Sequence, residues 1–163
     1  MKSKIILNRK KLIKEIKKLK NKGKKIVFTN GCFDIIHAGH IKLLNAAKKL
    51  GDVLVLALNS DSSVKRLKGE KRPIVPQSER AEIMAALSMV DIVTVFYEDD
   101  PYNIIKDLKP DVLVKGGDWP IDKIIGADIV KSYGGKVKNI KYIEGQSTTN
   151  IINKILNDYK NFC

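Results

Sequence analysis

Histidine, cysteine, tryptophan and arginine are scarce in this 163-residue chain: two His, two Cys, one Trp and four Arg (Arg9, Arg66, Arg72 and Arg80). Each scarcity excludes something. Cys32 and Cys163 are too few for a disulfide framework, so a reducing, cytoplasmic setting is expected. No zinc-ligand spacing can be assembled from two histidines and those cysteines. No apolar run approaches the roughly 20 residues that a membrane helix needs. The basic N-terminus lacks the continuous apolar segment of a secretory leader, so no membrane association is expected. A G-x-G-x-x-G fingerprint and a Walker A loop are also missing.

The shortage of arginine qualifies the net charge of +13, which alone would suggest nucleic acid. The excess is lysine, a poorer reader of base edges than arginine. Much of it lies in Lys2–Lys25, where Leu12, Ile13, Ile16 and Leu19 recur at helical spacing, as on a solvated amphipathic helix. No nucleic-acid partner is expected, and a basic nucleic-acid-binding module stays a remote alternative. A positive field suits small polyanionic substrates.

Short apolar runs alternate with amphipathic ones along the chain. Strands are expected at 25–30, 53–58, 91–96, 111–115 and 136–142, and helices at 9–22, 38–50, 60–67, 77–90, from Pro101 to before Pro110, at 124–133 and at 148–159. Ser60 or Asp61 and Ser78 are candidate helix caps. Strands apolar on both faces, alternating with helices, predict an α/β fold: a Rossmann-like, doubly wound, five-stranded parallel sheet with helices on both faces. One domain is expected over residues 1–163, with a basic helix in 1–22 and a core over 24–156. Ligands bind such sheets at the carboxyl ends of the strands. Four loops meet there: Gly31–His40, Asn59–Val75, Lys115–Trp119 and Glu144–Asn150.

The only histidines, His37 and His40, both fall in the first of these loops, at a strand-to-helix junction. Free N–H groups and the helix dipole favour an anion there, so a phosphate site is expected, with Gly39 permitting close backbone approach. A nucleophilic Cys32–His37 pair is a weaker reading. Lys65, Lys68 and Arg72 lie in or beside a basic loop that either is simply solvated or closes on phosphates. Arg80 sits in a first helical turn, where a cation opposes the dipole, so a bound phosphate or a buried acid must explain it. Lys115-Gly116-Gly117-Asp118 allows close approach to a ligand, or forms a tight turn. Ser147, Thr148 and Thr149 open the last helix, as a phosphate cradle or as an ordinary N-cap. Asp34 either orients an imidazole or holds its loop.

Gly31-Cys-Phe-Asp-Ile-Ile-His-Ala-Gly-His40 is similar to the signature of the His-x-Gly-His (cytidylyltransferase-like) nucleotidyltransferases. Lys65-Arg-Leu-Lys-Gly69, Val114-Lys-Gly-Gly-Asp118 and Gly145-Gln-Ser-Thr-Thr149 narrow the resemblance to the heptose 1-phosphate adenylyltransferases, over about Lys24–Leu156. The resemblance implies transfer of AMP from ATP to D-glycero-D-manno-heptose 1-phosphate, with release of pyrophosphate and a Mg²⁺ ion bridging ATP phosphates. It implies catalytic roles for His37, His40 and Lys68. Nucleotide contacts are implied for Asn30, Gly31, Cys32, Phe33, Gly39, Lys115, Gly116, Asp118, Gln146, Ser147, Thr148 and Thr149, and acceptor-phosphate contacts for Lys65, Arg72 and Arg80. Asp34 would support the site. A homodimer is expected by analogy, and a stand-alone enzyme because no sugar-kinase segment accompanies the motifs. The glycerol-3-phosphate cytidylyltransferases are the alternative, since His40-Ile-Lys-Leu-Leu44 and Gly-Asp-Trp119 also resemble theirs. Against them, Tyr142-Ile-Glu-Gly145 replaces their Arg-Thr-Glu-Gly.

Overall fold

The structure, a computed structural model, describes residues 4–117, 119–141 and 147–159. Its elements in chain order are α1 (Arg9–Asn21), β1 (Ile26–Gly31), α2 (Ala38–Lys48), β2 (Val53–Asn59), α3 (Asp61–Lys68), α4 (Gln77–Ala86), β3 (Ile92–Phe96), α5 (Tyr102–Leu108), β4 (Val112–Gly116), α6 (Ala127–Ser132), β5 (Lys136–Ile140) and α7 (Thr148–Asp158). A 3-10 turn at Ile121–Lys123 precedes α6. The strands form one parallel sheet in the order β3-β2-β1-β4-β5. The chain winds outward from β1 through β2 to β3, then returns to place β4 on the other side of β1. The switch point is therefore the crevice at the carboxyl ends of β1 and β4, where such sheets bind ligands.

The period-two alternation of the strands feeds two apolar layers. Phe28, Val55, Ala57 and Leu113 meet Leu12 and Ile16 of α1, Ile104, Ile105 and Leu108 of α5, and Ala127 and Val130 of α6. Val27, Leu54, Leu56, Val112 and Val114 meet Leu43, Leu44 and Ala47 of α2 and Ala81 and Met84 of α4. The basic N-terminal helix thus covers one sheet face with Leu12 and Ile16, and its lysines stay outside.

Three aspartates close the amino ends of the central strands. Asp52, Asp91 and Asp111 each precede one strand and accept from a backbone N–H at the start of a neighbouring one: Lys25 (2.8 Å), Leu54 (2.7 Å) and Ile26 (2.7 Å), respectively. Strand N–H groups that the ladder leaves over are satisfied this way, which pins the register. At the sheet's β3 edge, residues 4–6 run parallel to Val93 and exchange backbone hydrogen bonds with it. That addition was not expected from the sequence.

Other departures are local. The 77–90 helix stops at Ala86, because Leu87 turns extended, and it begins after Pro76 with no side-chain cap, so Ser78 lies inside its first turn. The 124–133 helix is shortened to α6 because Gly126, at φ +85°, starts it. A Cβ at Gly126 would lie 2.7 Å from Ile105 Cδ1, so glycine suits both the conformation and the contact. The strand expected at 136–142 is observed at Lys136–Ile140, and Tyr142 lies outside the described residues.

Candidate functional site

A cavity of about 690 Å³ opens at the carboxyl edge of the sheet, over the switch point. Asn30 and Gly31 end β1 at its floor, and the turn through Cys32, Phe33 and Asp34 leads up its side to His37 and His40. Phe33 has φ +46°, a left-handed conformation costly for a side chain with a Cβ. Gly31 accommodates the fold-back, since a Cβ there would lie 2.9 Å from the Phe33 ring. The result is an aromatic stack: Phe33 lies 4.8 Å from the His40 ring, and the His40 and His37 rings lie 3.8 Å apart at 25°.

Burial pushes both imidazole pKa values down; His37 adds its charge to the effect on His40, which falls to about 4. Both rings are therefore neutral at pH 7. The buried Nδ1 atoms of both lack a hydrogen-bond partner. An unpaired buried nitrogen is costly, and because these two are enclosed, a ligand in the cavity meets each ring at its other nitrogen, Nε2. His37 is also the N-cap of α2 without a side-chain cap bond, so the first-turn N–H groups of α2 have no side-chain acceptor from their cap.

A second helix begins beside the first. Ser147 caps α7 by accepting from Asn150 N–H at 3.0 Å, and Thr148 Oγ1 donates to the carbonyl of Ile35 at 3.2 Å. That bond ties the start of α7 to the loop before α2. Ser147, Thr148 and Thr149 all line the cavity, so two helix N-termini of 11 residues each converge on it. Lys68, the last residue of α3, and Lys115 and Gly116 at the end of β4 complete the polar wall, with Trp119 beside them. Asp118 and Gln146 lie outside the described residues.

The acceptor-phosphate set expected from the sequence does not assemble. Arg80 is completely buried. Its Nε donates to Val75 O (2.9 Å), one terminal nitrogen to Cys32 O (2.6 Å) and Asn59 O (3.0 Å), and the other to Asp61 Oδ1 (2.7 Å). The phosphate reading of Arg80 is thus replaced: three of its four bonds go to the carbonyls of Cys32, Asn59 and Val75, and the fourth to Asp61, an acid that is only partly buried. Arg72 and Lys65 are not in the cavity wall. Arg72 Nε is held by Asp34 Oδ2 at 2.6 Å, and Lys65 sits 4.0 Å from the exposed Glu70.

Asp34 does not touch an imidazole. Its buried carboxylate accepts from Arg72 and from the N–H groups of Ile74 and Val75, at 2.6–3.0 Å. Burial opposes its ionisation, but these backbone bonds and Arg72 together hold its pKa below the usual value. Asp34 therefore fastens the loop after α3 to the turn after β1. For Cys32 the balance goes the other way: burial outweighs the nearby cations, Lys68 foremost, and raises the thiol pKa. A protonated thiol does not support the nucleophilic reading.

The structure adds wall residues that the sequence reading passed over: Asn59 at the end of β2, Asp99, Asp100 and Pro101 after β3, and Ile125 before α6. The loop after β3 was legible in principle, since every carboxyl-end loop of a doubly wound sheet borders its crevice. Among the described residues, no three His, Cys, Asp or Glu side chains are grouped to hold a metal ion, and no helix is long and apolar enough to cross a membrane.

The cytidylyltransferase-like family model matches residues 28–154. The chain is 59% identical over 140 residues to the bifunctional protein HldE of Geobacter metallireducens, covering 86% of this chain and 29% of that protein. With HldE of Trichlorobacter lovleyi the identity is 53% over 154 residues, covering 94% of this chain and 31% of that protein. The chain thus spans about three tenths of the length of these relatives. Among solved structures, the lipopolysaccharide core biosynthesis protein from Thermoplasma volcanium is 31% identical, with a TM-score of 0.60 over 76% of this chain and 100% of that one. Pantoate-beta-alanine ligase from Francisella tularensis is 18% identical, with a TM-score of 0.60 over 96% of this chain and 81% of that one, a likeness of fold.

Proposed function

The chain belongs to the cytidylyltransferase-like family, and from that premise we propose that it transfers AMP from Mg·ATP to D-glycero-D-manno-heptose 1-phosphate, yielding ADP-heptose and pyrophosphate. The observation that carries the transfer chemistry is the convergence of the α2 and α7 N-termini, with two neutral, under-bonded imidazoles, on one lysine-bearing cavity. The sugar acceptor rests on the Lys65–Gly69 and Val114–Asp118 motifs. The likeness to a protein of lipopolysaccharide core biosynthesis supports it.

In this reading an ionised oxygen of the sugar phosphate attacks the α-phosphorus in line. The new O–P bond forms as the bond from the α-phosphorus to the bridging oxygen breaks, and pyrophosphate leaves with that electron pair. No base is needed, because the nucleophile is already deprotonated. The enzyme must instead hold two anions together and stabilise charge developing on the phosphates. His37 and His40 donate to the α- and β-phosphates. Free N–H groups of α2 and the hydroxyl-bearing start of α7 receive the rest of the triphosphate, and Lys68 closes over it. Mg²⁺ enters as part of the Mg·ATP substrate, held by phosphate oxygens and water. Asn30, Gly31, Cys32, Phe33, Gly116 and Thr149 shape the nucleotide's berth.

A cytoplasmic setting, where ATP is abundant, belongs to the same reading. So does a homodimer, which would cover Ile155 and Leu156 on the exposed side of α7. Product identification by mass spectrometry tests the proposal, with ATP or CTP against heptose 1-phosphate or glycerol 3-phosphate. ADP-heptose as the main product is expected. CDP-glycerol alone would keep the chemistry and replace both substrates.

A further inference from the structure

Four lysine and arginine side chains that could have met the acceptor phosphate are accounted for: Arg80 is enclosed, Arg72 is held by Asp34, Lys65 lies outside the wall, and Arg66 pairs with Asp99 at 2.5 Å. Lys115 differs from all of them. It lines the cavity, is half-buried, and has no hydrogen-bond or ion-pair partner among the described residues. Burial lowers its pKa; neighbouring Cys32 opposes that shift, and the positive charge of Lys68 adds to it. Among the described residues, no wall carboxylate is bonded to it. Asp34 is committed to Arg72 and Asp99 to Arg66, and Asp100 accepts from Tyr102 N–H at 2.8 Å. Two like charges sharing a partly desolvated cavity call for an anion between them.

Lys115 lies across the sheet edge from the two helix N-termini, near Cys32 and Lys68. It is the penultimate residue of β4, next to β1 at the switch point. Val112 and Val114 face the layer of α2 and α4, and Leu113 faces the layer of α1, α5 and α6. By strand alternation Lys115 shares the face of Leu113. His37, His40 and the α7 hydroxyls gather on the α2 side, because Phe33 and Leu43 belong to that layer and Thr148 is bonded to Ile35. On the Lys115 side the cavity is bordered by Pro101, which opens α5, and by Ile125, which precedes α6. The cavity thus straddles the sheet edge, with the helix N-termini on one face and, on the other, a lysine that has no partner among the described residues.

We propose that Lys115, which lines the cavity together with Lys68, receives the phosphate of the acceptor and holds it against the α-phosphate of ATP. The assignment rests on the nucleotidyl-transfer reading and deepens it: any acceptor must be a phosphomonoester whose dianion bridges the two lysines, and its organic part extends towards Pro101 and Ile125. The attack itself is unchanged; Lys115 neutralises one of two anions that otherwise repel.

The test compares wild type, Lys115→Met and Lys115→Arg by pyrophosphate release, with heptose 1-phosphate and ATP varied separately. In parallel, enzyme saturated with α,β-methylene-ATP is titrated calorimetrically with inorganic phosphate. Loss of a charged hydrogen bond should raise the acceptor KM of Lys115→Met roughly 10- to 100-fold. The ATP KM should stay near wild type, Lys115→Arg should recover part of the loss, and phosphate affinity should fall in parallel. A higher ATP KM with an unchanged acceptor KM would overturn the assignment and make Lys115 a nucleotide contact. If wild type does not turn over this sugar phosphate, the heptose reading fails, and the titration decides Lys115 alone. Weaker phosphate binding by Lys115→Met supports it, and equal binding refutes it.

Discussion

Replacing Arg80 by methionine separates a structural clamp from a phosphate ligand. The guanidinium is fully enclosed and makes four hydrogen bonds of 2.6–3.0 Å, three to backbone carbonyls and one to Asp61. Methionine fills similar space with no donor. The carbonyls of Cys32, Asn59 and Val75 then lose their N–H partners, and Asp61 loses its cation. Asp61 is 37% exposed, so water can take over part of its charge; Cys32 and Val75 are also partly exposed, whereas Asn59 is enclosed. Removing one side of a fully buried ion pair costs about 3–5 kcal/mol, and because Asp61 is partly hydrated the low end, about 3 kcal/mol, applies here. For a chain of this size each kcal/mol moves Tm by roughly 2–4 °C, so Tm should fall by roughly 6–12 °C. Lysine should rescue little, because a single ammonium cannot reproduce a planar fork reaching four acceptors. The assay is thermal unfolding of Arg80→Met and Arg80→Lys beside the acceptor KM of whatever folded enzyme remains. An unchanged Tm with a raised acceptor KM would refute the clamp and restore Arg80 as a phosphate ligand.

His37→Ala and His40→Ala should each lower turnover by roughly 10²–10³, as for loss of a single transition-state donor, while Tm is kept or raised; near-normal turnover would remove them from the mechanism. The folded pKa of His40, about 4, lies below its ordinary 6.5, and His37 shifts in the same direction. The unfolded chain therefore binds more protons between those values, and stability should rise with pH from about 4 to about 6.5, then level off. Urea midpoints across that window measure the slope, which His40→Gln should reduce; an unchanged slope in the variant would place its origin elsewhere. Thr148→Val removes the bond to Ile35 that joins the α7 and α2 starts, so its ATP KM should rise more than its Tm falls. Ser147→Ala should show the reverse emphasis, losing about 1 kcal/mol as an N-cap; equal behaviour of the two variants would contradict the distinction.

Much of the frame was legible because it depends on local pattern. Runs such as Val53–Leu58, short, β-branched and leucine-rich and apolar on both faces, read as inner strands of a parallel sheet, and the alternation with helices sets the class of fold. The histidine turn was legible for a similar reason: residues from Asn30 to His40 are contiguous, and a strand-to-helix junction exposes its donors wherever it occurs. Arg80 was only half legible. Its unfavourable place in a first turn signalled an anion or an acid, but the choice depended on Asp61 and on carbonyls from β1 and β2, which only the folded chain brings together. The same holds for Asp34, whose partners lie about 40 residues downstream. Lys115, a nucleotide contact by resemblance, stands apart only in the folded chain, where Arg66, Arg72 and Arg80 are each held by an acid. The β3-edge pairing of residues 4–6 carried no motif at all, since its bonds are made by backbone.

The most direct test of the central claim follows one oxygen. Heptose 1-phosphate bearing ¹⁸O in its non-bridging phosphate positions is incubated with Mg·ATP and the enzyme, and both products are weighed by mass spectrometry. Attack by the sugar phosphate on the α-phosphorus predicts all of the label in ADP-heptose and none in pyrophosphate. Label in pyrophosphate, or AMP released without a sugar nucleotide, would contradict the account.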